Sequence, residues 1–524
     1  MELKVLKNLY HCPALLWLGI TLLVWWTGLG GRDLYLLPAL IFLLIYIYRI
    51  WKNKPLNIPI NLTKSFFEER WLIIIFLVHV ALFLAITILK YYSFSWNVWD
   101  VGNFSNKLYN IAQGRFYSSY LGAHDWADHF NPSMSPLALL YLLVPSTNWL
   151  TLAKTIAYVS VPPLIYQISR EFFDNKEKAW LVTVILALAW MLIYAPALNS
   201  LYYEFQPSSL APPFILYAFL CFTRKRWLIF WLLMFLLLGL KEHLGAVWIG
   251  FGFYMVLATP QKKMGLFLIA GGVIAVYMII FKVMPYYRNY QDSWSMVLGP
   301  FQDIPEKLIY LIKILIPFGF LPLIFWRFGI IAGPAIGVNL LSGADRSGMY
   351  STSFHYDDIP STLLMIVMIL SLSSLSMHKI ELLKQRKMIW WISAVWMSFL
   401  ISLMPSSPLR VLFAAIPNQS HWEIRQELIE FDKLSKDDSI AVQTSLGPQF
   451  NRTNISAITQ DRNGNCAPLR RGRLMTDTKY LVFAKSLNHY LIDDLEECIS
   501  MIRTSSDYKM LHGFRHLDIF IKFK

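Results

Sequence analysis

The chain has 524 residues, 56% of them hydrophobic and only 15% charged, with a mean hydropathy of +0.45. A soluble protein carries nearer a quarter charged residues, because it must clothe its surface in polar groups; this composition therefore excludes a soluble globular fold and points to a chain that lies in a bilayer. The net charge of +14 comes with no nucleic-acid-binding motif, which argues against nucleic acid as a partner and leaves the charge to be read by its position along the chain.

Stretches of about 17 to 25 apolar residues suit a bilayer-crossing helix. In chain order about thirteen are expected, at 13–29, 34–50, 71–89, 149–168, 180–198, 210–222, 227–240, 244–258, 265–284, 308–325, 328–341, 361–377 and 389–404. With the N-terminus inside, the inner loops hold about 20 lysines and arginines against about 9 in the outer ones, the bias expected of cytoplasmic loops. An odd number of spans then puts the C-terminus outside. The first apolar stretch runs through Gly30, Gly31 and Arg32 into the second without a small-residue cleavage site, so it is expected to be retained. The expected fold is an all-α polytopic membrane protein with a small α/β domain outside. Residues 1–70 give two spans and a cytoplasmic loop, 71–404 a helical core with a large outer loop at 90–148, and 405–524 the soluble extracytoplasmic domain.

Polar groups near a bilayer are costly, so those in the outer segments invite a functional reading. The first segment holds WNVWDVGNF (96–104). Asp100, among Trp96, Trp99 and Phe104, is the strongest candidate: partial desolvation by the rings raises a carboxyl pKa and makes a better proton acceptor. Asp followed by Val-Gly-Asn can equally begin a juxtamembrane helix as its N-cap. Further along, AHDWADHFNP (123–132) clusters His124, Asp125, Asp128 and His129. That density suits either a divalent metal, with Asp128 and His129 as ligands, or a solvated loop. In a helix His124 and Asp128 would share a face. PSMSPLALLYLLVPS (132–146) is apolar but short and bounded by prolines, which reads as an interfacial or re-entrant helix.

The second outer segment, NSLYYEFQP (199–207), offers Glu204 and Gln206. Lys241, Glu242 and His243 stand at the outer end of the seventh expected span. Lys241 and Glu242 form either an interfacial ion pair or separate contacts to a phosphate and a hydroxyl. The third segment, GADRSGMYSTSFHYDDIP (343–360), ends in His355, Tyr356, Asp357 and Asp358. Lys154 and Lys313 fall inside expected spans. Lys154 is near enough the outer end to snorkel; Lys313 either meets a lipid phosphate or marks a later start of its span. His79 reads as a buried, hydrogen-bonded side chain.

Beyond residue 404 charge becomes frequent. SIAVQTS (439–445), KYLVFAK (479–485) and DIFIKFK (518–524) read as strands, and 420–435 and 489–504 as amphipathic helices, giving an α/β domain of about 110 residues. No phosphate loop, nucleophile elbow or zinc spacing is present in it. Cys466 and Cys498 lie here: outside the cytosol a disulfide between them is permitted, the alternative being two unrelated thiols. Arg470, Arg471 and Arg473 make either a basic patch for anionic headgroups or a solvated loop.

The succession WDVGNFSNKLYNIAQGRFYSS, DHFNPSMSPLALLYLLVPS, YYEFQPSSLAPPFILYAFL, LKEH and SFHY resembles a family of prokaryotic multispanning proteins, domain of unknown function 2079. The resemblance runs from about Trp71 through the C-terminal SIAVQTSLGPQFNRTNISAI and TKYLVFAK. The family is distantly similar to the GT-C glycosyltransferases, which take sugars from polyprenyl-phosphate donors and carry an acidic residue in the first large outer loop. The resemblance implies a cell (inner) membrane location, with Asp100 in the place of that acidic residue and Asp128 and His129 in the family's Asp-His-Phe segment. Where relatives often read Asp-Phe-His-Pro, this chain has Glu204, Phe205, Gln206 and Pro207; where they often read Lys-Glu-Asp, it has Lys241, Glu242 and His243.

The expected function is therefore an inverting glycosyl transfer at the outer face. Asp100 would be the catalytic base. Glu204, Gln206, Lys241, Glu242, His243, His355 and Tyr356 would bind the polyprenyl-phosphate sugar and a glycan, lipid or protein acceptor, with an optional divalent metal at Asp128 and His129. The alternatives are a transporter or lipid flippase, and a membrane scaffold without catalysis.

Overall fold

In the computed structural model of the chain, the described residues are 69–174, 176–288, 299–377, 408–460, 466–470, 473–475 and 477–523. The expected spans at 13–29, 34–50 and 389–404 lie outside them. The principal helices of the body are α1 (Glu69–Tyr92), α2 (Asn103–Ala112), α3 (Ala138–Leu143), α4 (Asn148–Val159), α5 (Val161–Phe172), α6 (Lys176–Leu188), α7 (Ala195–Tyr202), α8 (Ala211–Thr223), α9 (Trp227–Leu238), α10 (Gly245–Ala258), α11 (Lys262–Met278), α12 (Ile304–Leu315), α13 (Gly333–Leu340) and α14 (Asp358–Met377).

Most of these are shorter than the expected spans. Among the described residues, two helices are long and apolar enough to cross a membrane, Lys262–Tyr287 and His355–Leu375. The pair Lys178–Met191 and Ala195–Tyr202, bent by 47°, makes a third if taken as one span. Summed hydropathy hides the breaks. The stretch 308–325 stops being one helix after Leu315, where Pro317 is followed by Gly319 and Phe320 with φ of 56° and 55°. The stretch 328–341 divides into Trp326–Gly329 and Gly333–Leu340. Broken helices are tolerated at membrane depth when neighbours satisfy the backbone groups set loose. Here the Tyr194 hydroxyl donates to the Ile314 carbonyl at 3.2 Å and Trp190 Nε1 to the Tyr158 carbonyl at 3.0 Å.

Glycines set the tightest helix pair. A Cβ on Gly252 would stand 2.6 Å from the Gly265 carbonyl oxygen, and one on Gly272 would stand 3.1 Å from that of Gly245. Backbones of α10 and α11 therefore touch directly, as small residues allow between membrane helices. On the opposite side of the helix Lys262–Tyr287, Leu266, Phe267, Val273, Ile274, Tyr277, Met278 and Phe281 are all exposed among the described residues.

In the loop between α1 and α4, a two-residue hairpin pairs β1 (Tyr117–Ser118) with β2 (Ala123–His124). The segment read as interfacial forms a 3-10 turn at Pro132–Leu137 and then α3, with Leu139, Leu142 and Leu143 exposed.

The C-terminal region begins with α15 (Pro408–Ala414) and α16 (Gln419–Leu434). A reciprocal capping box starts α16: Asn418 Oδ1 accepts from the His421 amide, and His421 Nδ1 accepts from the Asn418 amide. The strands are β3 (Ile440–Gln443), β4 (Ile455–Gln460), β5 (Cys466–Arg470), β6 (Arg473–Leu474), β7 (Tyr480–Phe483), β8 (Tyr508–Leu511) and β9 (Asp518–Lys522), with α17 (Leu495–Thr504) between β7 and β8. They form one sheet in the order β6-β5-β4-β3-β7-β9-β8, parallel only where β3 meets β4 and β7. The three expected strands are β3, β7 and β9; β4, β5, β6 and β8 were not anticipated, and the second helix starts later than expected, at the Asp494 cap. A disulfide joins Cys466 on β5 to Cys498 on α17.

Alternation along β3 shows what covers each face. Ala441 packs with Leu495, Cys498 and Ile499 of α17. Ile440 and Val442 pack with Ile424, Leu428 and Phe431 of α16 and also with Phe94, Val98 and Tyr120 of the loop that follows α1. The domain thus completes its core with side chains from the membrane body, each large one contributing about 1.5–3 kcal/mol on full burial.

Candidate functional site

Asp100 lies in the middle of a π turn, Val98–Gly102, that leads directly into α2. The turn is preceded by Asn97, so Asp100 is not the N-cap that its sequence context allowed. Its carboxylate meets side chains instead. Oδ2 accepts the Tyr203 hydroxyl at 2.9 Å, and Oδ1 accepts from Gln206 Nε2. Gln206 Oε1 in turn accepts from Lys241 Nζ at 2.8 Å. The ammonium is 4% exposed, so one glutamine amide links a buried cation to a half-buried carboxylate.

Glu204 serves the same turn from behind. Its Oε1 accepts from the Asn97 amide at 2.8 Å and from Asn97 Nδ2 at 3.0 Å, and its Oε2 accepts from the Val101 amide at 3.3 Å. Three donors on one carboxylate fix the backbone on both sides of Asp100. The peptide carrying Glu204 is itself gripped. Lys154 Nζ donates to the carbonyls of Tyr203 and Glu204, both at 3.0 Å, and Lys90 Nζ donates to that of Tyr202. The Tyr202 carbonyl is the last of α7 and those of Tyr203 and Glu204 follow directly; the ammonium groups satisfy them and complement the negative end of the helix. Lys154 therefore does not snorkel to water.

The second anchor is Glu242. Its Oε1 lies 2.8 Å from His129 Nδ1, and its Oε2 accepts from the Phe130 amide at 3.2 Å. The expected Lys241–Glu242 pair is absent from this arrangement: Lys241 reaches Gln206, and Glu242 reaches His129. Asp128 Oδ2 stands 3.8 Å from His129 Nε2. The His124–Asp125 pair turns elsewhere. His124 lies 2.9 Å from Asp125 and stacks on Tyr287 at 4.1 Å, while Lys107 Nζ donates to the Asp125 carbonyl at 2.7 Å. A 3-10 turn at Asp125–Ala127 separates the two pairs, so His124 and Asp128 do not share an α-helical face.

From the third segment, His355 comes within 4.8 Å of the Tyr203 ring and 4.1 Å of the Tyr356 ring. It is 4% exposed, and neither ring nitrogen has a hydrogen-bond partner. The Tyr356 carbonyl accepts from Asn339 Nδ2 at 3.2 Å, and Asp357 Oδ1 accepts the Tyr310 hydroxyl at 2.7 Å. His243 lies half-buried in the 3-10 turn Glu242–Leu244.

The electrostatics follow from burial and neighbours. Burial raises the Asp100 carboxyl above its ordinary 3.8, against the Tyr203 hydrogen bond and the charges of Lys241 and His129. Burial, and then Asp100, push Glu204 up to about 8, while the Asn97 and Val101 donors pull it down. For Glu242 burial works upward too, but His129, Lys241 and His243 together hold it well below the usual carboxylate range. Burial and Lys241 push His243 down to about 3, which keeps its ring neutral. The result is a carboxylate poised to accept a proton beside a fixed ammonium and an ionised Glu242.

Among the described residues, no group of three His, Cys, Asp or Glu side chains could hold a metal ion. Of the two expected ligands, His129 turns its Nδ1 to Glu242 and its Nε2 toward Asp128, 3.8 Å away.

The rear of the site is built by the C-terminal domain. The Val98 amide donates to the Thr444 carbonyl at 2.9 Å, the Thr147 hydroxyl to that of Pro448 at 2.7 Å, and Asn106 Nδ2 to that of Arg452 at 2.8 Å. Gly447 presses on the turn so closely that a Cβ there would stand 2.1 Å from Val98 Cγ2. Sequence reasoning missed this wall, as it missed Tyr203, Asn97 and Lys90; Lys154 was noticed as a charge inside an expected span, but for another role. Of those missed, Tyr203 carried a signal, its place beside Glu204 in the polar segment.

The model of the family described as "Predicted membrane protein (DUF2079)" matches residues 90–486, and the chain belongs to that family. No curated protein matches it. A similar solved structure is that of ArnT from Cupriavidus metallidurans bound to undecaprenyl phosphate. The two chains are 10% identical, 84% of this chain and 97% of that one are covered, and the TM-score is 0.48, a likeness too distant to carry any inference about the site.

Proposed function

From that membership and from the site's own residues, we propose that the protein is a membrane glycosyltransferase. It takes a sugar from a polyprenyl-phosphate donor at the outer face of the membrane. Asp100 accepts the proton of the acceptor hydroxyl, and the freed oxygen bonds to the anomeric carbon with inversion. The bond from that carbon to the lipid-phosphate oxygen breaks, and the phosphate leaves with the electron pair. Lys241, held by Gln206, stabilises the departing charge. No step is routed through a metal. The observation that carries the reading is the Asp100–Gln206–Lys241 chain, which sets a base and a cation on opposite ends of one amide. The disulfide between Cys466 and Cys498 supports an extracytoplasmic C-terminal domain, because such bonds persist in oxidising compartments.

The test is transfer of label from polyprenyl-phosphate sugars by membranes containing the wild type or Asp100→Asn: the wild type is expected to transfer it and the variant is not. Equal transfer by both removes Asp100 from the reaction. A second reading, a transporter or lipid flippase, is favoured by Asp357 and Asp358, which are buried at the head of α14. Uptake into proteoliposomes without any covalent product would select it.

A further inference from the structure

A cavity of about 500 Å3 lies to one side of the Asp100 site, lined by Trp126, Phe130, Lys282, Val283, Tyr286 and Tyr287. Among the described residues, four aromatic rings and one ammonium line it, and no acidic side chain does. One wall is the outer end of the helix Lys262–Tyr287, among the few long and apolar enough to cross a membrane. The other is the loop whose Phe130 amide and His129 ring hold Glu242. The walls are pinned together: Arg288 Nε donates to the Ala127 carbonyl at 2.8 Å, and Tyr287 stacks on His124.

The exposed side of α11 leads into this cavity. Two rows of exposed side chains climb it at helical spacing, Leu266, Val273, Tyr277 and Phe281 in one, Phe267, Ile274 and Met278 in the other. The second row ends on Lys282, itself exposed. An apolar strip that finishes in a cation beside aromatic rings matches the two halves of an anionic amphiphile. A lysine that only snorkels, among rings that only mark the interface, needs no cavity beneath it.

We infer that this cavity is a binding site for the phosphate-bearing headgroup of an anionic bilayer lipid, whose chain lies along the exposed face of α11. Lys282 supplies the charge and the rings flank the glycerol and carbonyl region in an open depression. The site needs only that the chain spans a membrane, so it stands or falls apart from the transferase reading.

The test uses purified full-length protein in detergent, titrated with phosphatidylglycerol, phosphatidylcholine and inorganic phosphate, with retained ligand counted by native mass spectrometry. Phosphatidylglycerol is retained in preference to phosphatidylcholine, and inorganic phosphate does not displace it. Lys282→Gln weakens that retention about fivefold, the factor expected for one lysine at an anionic surface, and Lys262→Gln, an exposed lysine at the other end of the same helix, leaves it unchanged. Equal retention of phosphatidylglycerol by wild type and Lys282→Gln, equal losses in both variants, or displacement by inorganic phosphate would each overturn the assignment.

Discussion

Asp100 and Glu204 are two carboxylates serving one turn, and they are employed in opposite ways. Asp100 spends its oxygens on the side chains of Tyr203 and Gln206, groups that can be exchanged for a substrate. Glu204 spends its oxygens on Asn97 and on the Val101 amide, groups that cannot leave without the turn unravelling. The front of the site is thus built of replaceable side-chain bonds and the rear of backbone bonds, reinforced by Lys154, Lys90 and the loop around Gly447. On the proposed function, chemistry belongs to the front and stability to the rear. A polar residue in an outer loop is therefore not a substrate ligand by virtue of its position alone.

The largest effect is expected at Asp100. Asp100→Asn loses about 10²- to 10⁴-fold in transfer rate, the usual worth of a general base, while unfolding in detergent at the wild-type temperature. A large fall in that temperature would erase the distinction between front and rear. Next comes Glu204→Ala, which strands three donors and costs about 3 kcal/mol or more, read as a lower melting temperature at any substrate concentration. The carboxyl adds a pH dependence. Raised from 4.5 to about 8, it binds its proton more tightly folded than unfolded. Its contribution is full below about 4.5 and is lost as pH climbs through about 8. Glu204→Gln should flatten that slope.

How far these roles were legible depends on the kind of signal. Asp100, Gln206, Lys241, Glu242 and His129 announced themselves as polar residues on outer segments, and the structure gathers them. His355 joins them through Tyr203. The sequence could not say which carboxylate faced substrate, because both lie beside aromatics and differ only in their donors. Lys154 read as a surface-seeking lysine, since a helix C-terminus waiting for an ammonium leaves no local pattern. The breaks after Leu315 were in view as Pro317, Gly319 and Pro322, yet an average over a window cannot register them. The strands β3, β7 and β9 showed as apolar runs, whereas β4 and β5 carry Ser, Thr, Gln and Pro and did not.

Two smaller effects sharpen the comparison. Gly447→Ala drives a methyl into Val98 and costs about 1–3 kcal/mol, seen as a lower melting temperature even though the residue lies 347 positions from Asp100 in sequence. Tyr203→Phe costs only about 1 kcal/mol, but its donor holds the Asp100 carboxyl down. Its loss moves the acidic limb of the pH–rate profile to higher pH, and an unmoved limb would detach Tyr203 from the base.

The contact between Val98 and Thr444 also has a consequence in time. Ser105 and its partner Asn451 are 346 residues apart, so at ordinary synthesis rates roughly 20 to 70 s separate the emergence of one from that of the other. Until the last stretch has been made and folded, the turn bearing Asp100 stands without its backing. On the proposed function, a nascent or prematurely terminated chain, however well inserted, would be a membrane protein without a working centre.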